Sequence, residues 1–142
     1  MTNQHILIVD DDREFAQSAK DFLAARGYQV VLAHNSAEAQ KALDRQRPDL
    51  VVLDIMMDYD AEGFNWAYKL KTNEATKWLP IIIVSGFEEH LARKYDSFAF
   101  IEGREWPAAQ MFKKPVQLNE LAQSIGTILA EIESRKPMAK LA

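Results

Sequence analysis

Three short apolar stretches stand out along the chain, and each stops at a residue able to do chemistry. Ile6-Leu7-Ile8-Val9 ends at Asp10-Asp11, Leu50-Val51-Val52-Leu53 at Asp54, and Ile81-Ile82-Ile83-Val84 at Ser85. Met111-Phe112 runs into Lys113-Lys114-Pro115. Runs this short and this continuously aliphatic predict strands buried on both faces, as in parallel sheets. Between them the spacing turns helical. Phe15, Ala19, Phe22 and Leu23 recur on one helical face, with Asp12 as the N-cap and Gly27 as the stop after Arg26. Residues 28–33 are β-rich and predict a second strand. Asn35 or Ser36 caps a helix carrying Ala39, Ala42 and Leu43, which ends before Arg47-Pro48. Residues 64–71 predict a third helix, and Pro80 introduces the strand at 81–84. Leu118, Leu121, Ile125, Ile128, Leu129 and Ile132 form one stripe on a final helix, with 136–142 expected to fray.

Strands alternating with helices predict βαβ units with right-handed crossovers. Five units fit an α/β fold: a flavodoxin-like, doubly wound, five-stranded parallel sheet of order 2-1-3-4-5 with helices on both faces. Residues 1–134 are expected to form that domain and 135–142 a C-terminal tail. The stretch between Ser85 and Lys114 is less regular. Residues 88–95 suit a short helix and 97–101 alternate like a strand, but Gly103 and Pro107 interrupt, so an extended, irregular connection is expected.

Composition narrows the function. At 142 residues, with 48% hydrophobic and 27% charged content, the chain is large enough for a substantial core. Its 17 basic and 21 acidic residues give a net charge of −4, which argues against non-specific nucleic-acid binding. The absence of cysteine excludes disulfides, thiol catalysis and cysteine-based zinc sites. The polar start, Met1-Thr2-Asn3-Gln4-His5, does not resemble a signal peptide, and no apolar run is long enough to span a bilayer. A cytoplasmic protein with neither a nucleic-acid nor a membrane partner is expected, as monomer or weak homodimer.

Ligands of open parallel sheets sit at the carboxyl ends of the strands, so Asp10, Asp11, Asp54, Ser85 and Lys114 should meet in one crevice. The three carboxylates would repel one another, and a hard divalent cation relieves that conflict. Mg²⁺ (or Mn²⁺) favours a few carboxylate oxygens plus waters and phosphate oxygens. One carboxylate can then act as nucleophile toward an activated phosphoryl donor and form an aspartyl phosphate. Phosphoryl transfer needs positioning and charge neutralisation above all. Lys114 suits one phosphoryl oxygen, and the Ser85 hydroxyl or backbone N–H groups suit another.

The segments Ile6-Leu7-Ile8-Val9-Asp10-Asp11-Asp12, Asp54-Ile55-Met56-Met57, Gly63-Phe64, the strand from Pro80 to Ser85, and Lys114-Pro115-Val116 resemble the receiver domains of two-component response regulators. They cover nearly the whole chain, in the family's order. The resemblance implies Asp54 as phospho-acceptor and Asp10 and Asp11 as the acidic pair. Asp11, Asp54 and the Met56 backbone carbonyl would hold Mg²⁺, with Asp10 part of the metal site. It further implies Ser85 as the switch hydroxyl, Lys114 as the site lysine, and a cis bond before Pro115. Asp54 and Lys114 would be the catalytic pair for self-phosphorylation and dephosphorylation, without enzymatic turnover of small substrates.

Several positions depart from the family pattern. Asp58 stands where a proline is usual, the loop to Gly63 is one residue longer, and Gly86 replaces a common alanine. The stretch from Ser85 to Lys114 is several residues longer than usual, and Met111, with Phe112 beside it, occupies the switch-aromatic position. Trp106 and residues 98–101 fall in that longer stretch, and Trp106 reads as either a core residue or a partner contact. Met56 and Phe87 stand where similar domains orient the hydrolytic water, and both are apolar, so slow self-dephosphorylation is expected.

Plainer roles are expected elsewhere. Lys113 reads as solvated, Asp58, Asp60 and Glu62 as an acidic loop, and His5, His34 and His90 as surface positions. Trp66 and Trp78 are expected to pack or half-expose around the third helix. The expected function is a single-domain receiver taking phosphoryl from a histidine kinase or phosphotransfer protein and showing a downstream protein an altered surface. No DNA-binding or catalytic output segment is read after the last helix. Two rival readings are a pseudo-receiver that binds partners without phosphorylation and a haloacid-dehalogenase-like phosphatase. Asp10-Asp11-Asp12 meets the phosphatase's acid-x-acid spacing. That reading gives Asp54 no role, puts Glu14 where Thr or Val is usual, and lacks an acidic pair after Lys114.

Overall fold

The computed structural model describes residues 4–54, 62–85 and 109–141. Among these described residues, five strands and four helices follow in the order β1 (His5–Val9), α1 (Arg13–Ala24), β2 (Gln29–Ala33), α2 (Ser36–Arg45), β3 (Leu50–Leu53), α3 (Glu62–Thr72), β4 (Ile81–Ser85), β5 (Gln110–Lys113) and α4 (Leu118–Leu141). The sheet is parallel throughout, in the order β2-β1-β3-β4-β5. That is the topology read from the sequence.

Strand alternation divides the core in two, because successive side chains leave opposite faces of a sheet. Leu7, Val9, Val51, Leu53, Ile81 and Ile83 face α2 and α3, where Ala39, Leu43, Trp66, Ala67 and Leu70 complete one cluster. Ile6, Ile8, Leu50, Val52, Ile82 and Val84 face α1 and α4, meeting Ala16, Ala19, Leu23, Leu121, Ile125 and Leu129. Each central strand therefore supplies both cores, which is why its sequence is continuously aliphatic.

The helix ends follow local chemistry. Asp12 caps α1 by accepting from the Phe15 N–H at 3.1 Å, and Asn35 caps α2 through the Glu38 N–H at 2.8 Å. Glu38 reaches back to the His34 N–H at 2.8 Å, which adds a reciprocal bond at the start of α2. Gly27 takes a left-handed φ of 97° just past α1, a conformation that costs glycine little. At the far end, α4 runs to Leu141 where fraying from residue 136 was expected. Pro137 removes one backbone donor, but a helix already nucleated by packing gains a bond for each further residue.

Other side chains refine the sequence reading. Trp66 is buried, its Nε1 donating to the Gln40 Oε1 at 2.9 Å, while Trp78 is 51% exposed. His5 and His34 are half-buried instead of lying on the surface. His5 is drawn in because its backbone N–H donates to Asp49 at the start of β3. No described helix is long and apolar enough to cross a membrane.

Candidate functional site

The sheet topology puts the ends of β1 and β3 side by side, since Val9 pairs with Leu53. Asp10 and Asp54 follow those two residues, and their own backbone bonds extend the ladder. The Asp10 N–H donates to the Ala33 carbonyl at 3.0 Å, and the Asp54 N–H to the Val9 carbonyl at 2.8 Å. Both carboxylates are buried, at 1% and 4% exposure, while Asp11 is exposed. Each of the three offers an oxygen lying within 4.8 Å of the others. The crevice expected at the switch point between β1 and β3 is therefore present and acidic.

Lys114 arrives from the end of β5. Its Nζ donates to the Asp10 Oδ2 at 2.8 Å and lies 3.7 Å from the Asp54 Oδ2. Burial alone would lower its pKa. The hydrogen bond to Asp10 and the charges of Asp10, Asp54 and Asp12 outweigh burial, and the net shift is upward. The lysine is thus firmly an ammonium. Its bond to Pro115 is cis, as the resemblance implied.

Asp10 is held on its other oxygen as well, because Oδ1 accepts the Asp12 N–H at 2.9 Å. Asp12 in turn is occupied as the α1 cap, the structural role expected of it. Among the described residues the site gathers three carboxylates and one ammonium. Oxygen donors with an excess of negative charge in a largely buried crevice fit a hard divalent cation.

Other sequence candidates fall elsewhere. Ser85 ends β4, with its backbone opposite Lys113, but its side chain lies outside the described residues. Met56, Asp58, Asp60, Phe87, His90 and Trp106 also lie outside them, as do the residues expected to form a helix at 88–95 and a strand at 97–101. Lys113 is exposed, as expected of a solvated lysine. Met111 is 40% exposed, whereas Phe112 is half-buried against the α1 and α4 core. Of the two, Phe112 is the one anchored in the interior.

Two neighbours escaped the sequence reading. His34 places Nδ1 3.1 Å from the Asp10 carbonyl oxygen, and Phe15 places its ring under Lys114, with Nζ 4.6 Å from the centroid. Phe15 was read only as a core position, since the helical period that flagged it carries no information about β5.

Comparison with known proteins is consistent with this geometry. The family model of the response regulator receiver domain matches residues 6–126. Response regulator MprA of Mycobacterium ulcerans is 32% identical over 124 residues, spanning 87% of this chain and 49% of that protein. Protein PetR of Rhodobacter capsulatus is 32% identical over 128 residues, with 90% and 49% covered. The chain spans about half the length of these curated relatives. A CheY-like receiver domain protein from Methanospirillum hungatei superposes with a TM-score of 0.78 at 27% identity, covering 94% of this chain and 99% of that one. The signal receiver domain of a histidine kinase from Syntrophus aciditrophicus gives 0.76 at 26%, covering 91% and 92%.

Proposed function

The chain belongs to the response regulator receiver domain family, and from that premise we propose that it is a phosphoryl-accepting switch with Asp54 as the acceptor. The observation that carries the reading is the place of Asp54: buried at the end of β3, 3.7 Å from an ammonium and clustered with Asp10 and Asp11.

In the proposed step, an Asp54 carboxylate oxygen attacks the phosphorus of a phosphohistidine on a histidine kinase or phosphotransfer protein. The O–P bond forms as the P–N bond breaks, and the imidazole nitrogen leaves with the electron pair and takes up a proton. Lys114 would follow charge from the carboxylate onto a phosphoryl oxygen, a role supported by its Nζ lying 2.8 Å from Asp10 and 3.7 Å from Asp54. Asp10, Asp11 and Asp54, with the Met56 carbonyl, are the residues that would hold Mg²⁺. When bound, the ion neutralises carboxylate and phosphoryl charge. Signalling would then proceed through a changed surface near β5 and α4, presented to a downstream protein.

The phosphatase reading fits less well. It requires a free second acid at Asp12, and that carboxylate is engaged in capping α1.

Intact-mass measurement after acetyl phosphate and Mg²⁺ tests the proposal. One phosphate adduct on the wild type and none on Asp54→Asn is the expected result. An unmodified wild type, or an adduct that survives in Asp54→Asn, would reject it.

A further inference from the structure

Four contacts form a closed circuit around the lysine. The Lys114 Nζ donates to the Asp10 Oδ2 at 2.8 Å. The other Asp10 oxygen accepts the Asp12 N–H at 2.9 Å. The Asp12 carboxylate accepts the Phe15 N–H at 3.1 Å, and the Phe15 ring returns to Lys114 with its centroid 4.6 Å from Nζ. The circuit joins the end of β1, the first turn of α1 and the end of β5. From this geometry we infer that Phe15 is a positioning residue for phosphoryl transfer, acting through Lys114 as a cation–π floor beneath the ammonium.

The physical need is specific. In the resting site Lys114 is bonded to Asp10, yet the proposed chemistry requires it to meet charge that develops beside Asp54. A hydrogen-bonding partner on the third side would compete for the ammonium and tie it to one direction. The face of an aromatic ring attracts a cation without a directional bond, so Nζ can swing from one oxygen to another and stay supported. The half-buried ring also covers one side of the lysine with an apolar surface, which strengthens the remaining electrostatic contacts. Phe15 itself cannot drift, because the Asp12 cap fixes its backbone and its side chain packs on the α1 and α4 core.

This inference rests on the receiver reading, and the test separates the two. Phe15→Leu keeps an apolar side chain and removes the ring; Phe15→Tyr keeps the ring. Phosphorylation by acetyl phosphate with Mg²⁺ is followed by intact mass at several donor concentrations. Phe15→Leu should slow the maximal rate about five-fold or more, with the concentration for half-maximal rate little changed, and Phe15→Tyr should restore it to within about two-fold. In the unphosphorylated protein, the Lys114 ε-methylene protons should resonate upfield from ring current in wild type and Phe15→Tyr, and lose that shift in Phe15→Leu. An undiminished rate in Phe15→Leu, a Phe15→Tyr protein as slow as Phe15→Leu, or an ε-methylene shift indifferent to the ring would overturn the role of Phe15 and leave the receiver reading standing. A wild type that takes no phosphate would instead overturn the receiver reading.

Discussion

Replacing Lys114 by methionine removes the cation while keeping an unbranched apolar stem. Asp10 and Asp54 would then sit at 1% and 4% exposure without the ammonium that faces them at 2.8 and 3.7 Å. At an effective dielectric near 20, these two attractions amount to about 6 and about 4 kcal/mol before desolvation. Stripping water from the ammonium offsets much of that, and truncating one partner of a buried pair typically costs about 3–5 kcal/mol. The lysine side chain retains 19% exposure, so the lower end, about 3 kcal/mol, is the appropriate expectation. With an unfolding entropy near 2.1 cal/mol/K per residue, the melting temperature of a chain this size should drop about 10 °C in the presence of chelator. Mg²⁺ should then recover more stability in Lys114→Met than in wild type, because the variant's site is more negative by one charge. Thermal unfolding with EDTA and with saturating Mg²⁺ measures both effects. In an Asp10→Asn background the cost of Lys114→Met should shrink to roughly two-fifths, the share of the attraction that comes from Asp54 and the sign of direct coupling to Asp10. A loss of only a degree or two, or an equal loss in the Asp10→Asn background, would refute the argument that Lys114 holds these carboxylates in the fold.

The same lysine makes a prediction in pH. Its folded pKa lies above the ordinary 10.5, so its contribution is complete below that value and is lost only as pH rises through the folded pKa. The gap in urea midpoint between wild type and Lys114→Met should stay constant from about pH 7 to 10 and close above it; closure near neutrality would contradict the assignment. Asp12→Ala should lose the α1 cap, about 1 kcal/mol, whereas Asp12→Asn should be near neutral. Urea unfolding with an unchanged slope would check this pair. Leu53→Ala, at a fully buried position on the α2 and α3 face, should cost about 3–4 kcal/mol by the same measurement. The proposed Asp54 adduct should decay over minutes or longer in Mg²⁺ buffer, because the positions that orient water in similar domains are the apolar Met56 and Phe87; loss within seconds would reject that.

Much of the fold was legible because its determinants are local. Val51 and Val52 face opposite cores, so the run they belong to must be aliphatic throughout, and a continuously aliphatic run is visible without coordinates. Asp12, Asn35 and Gly27 announce helix ends through their own backbone chemistry. The three acids were legible for a related reason: each follows a strand, and parallel sheets gather their strand ends at one edge. The unseen contacts are those that cross elements laterally. His34 follows β2 by one residue and reaches the Asp10 carbonyl because the Asp10 N–H pairs with Ala33 next to it. No periodicity within β2 encodes that proximity.

Phe15 is the sharper case. Its spacing with Ala19, Phe22 and Leu23 correctly placed it on the inward face of α1, and a leucine would satisfy that pattern equally well. What the pattern could not show is that the first turn of a helix packed beneath β1 also lies beneath whatever emerges from β5. Lys114 is 99 residues away in sequence, and only the order β2-β1-β3-β4-β5 with α1 and α4 on one face brings it over the ring. A residue can therefore be a core position by its period and a site position by topology. The choice between phenylalanine and leucine at position 15 affects the chemistry of Lys114 far more than the packing of α1. This asymmetry gives the Phe15→Leu comparison its force: fold stability should move little while the phosphorylation rate falls.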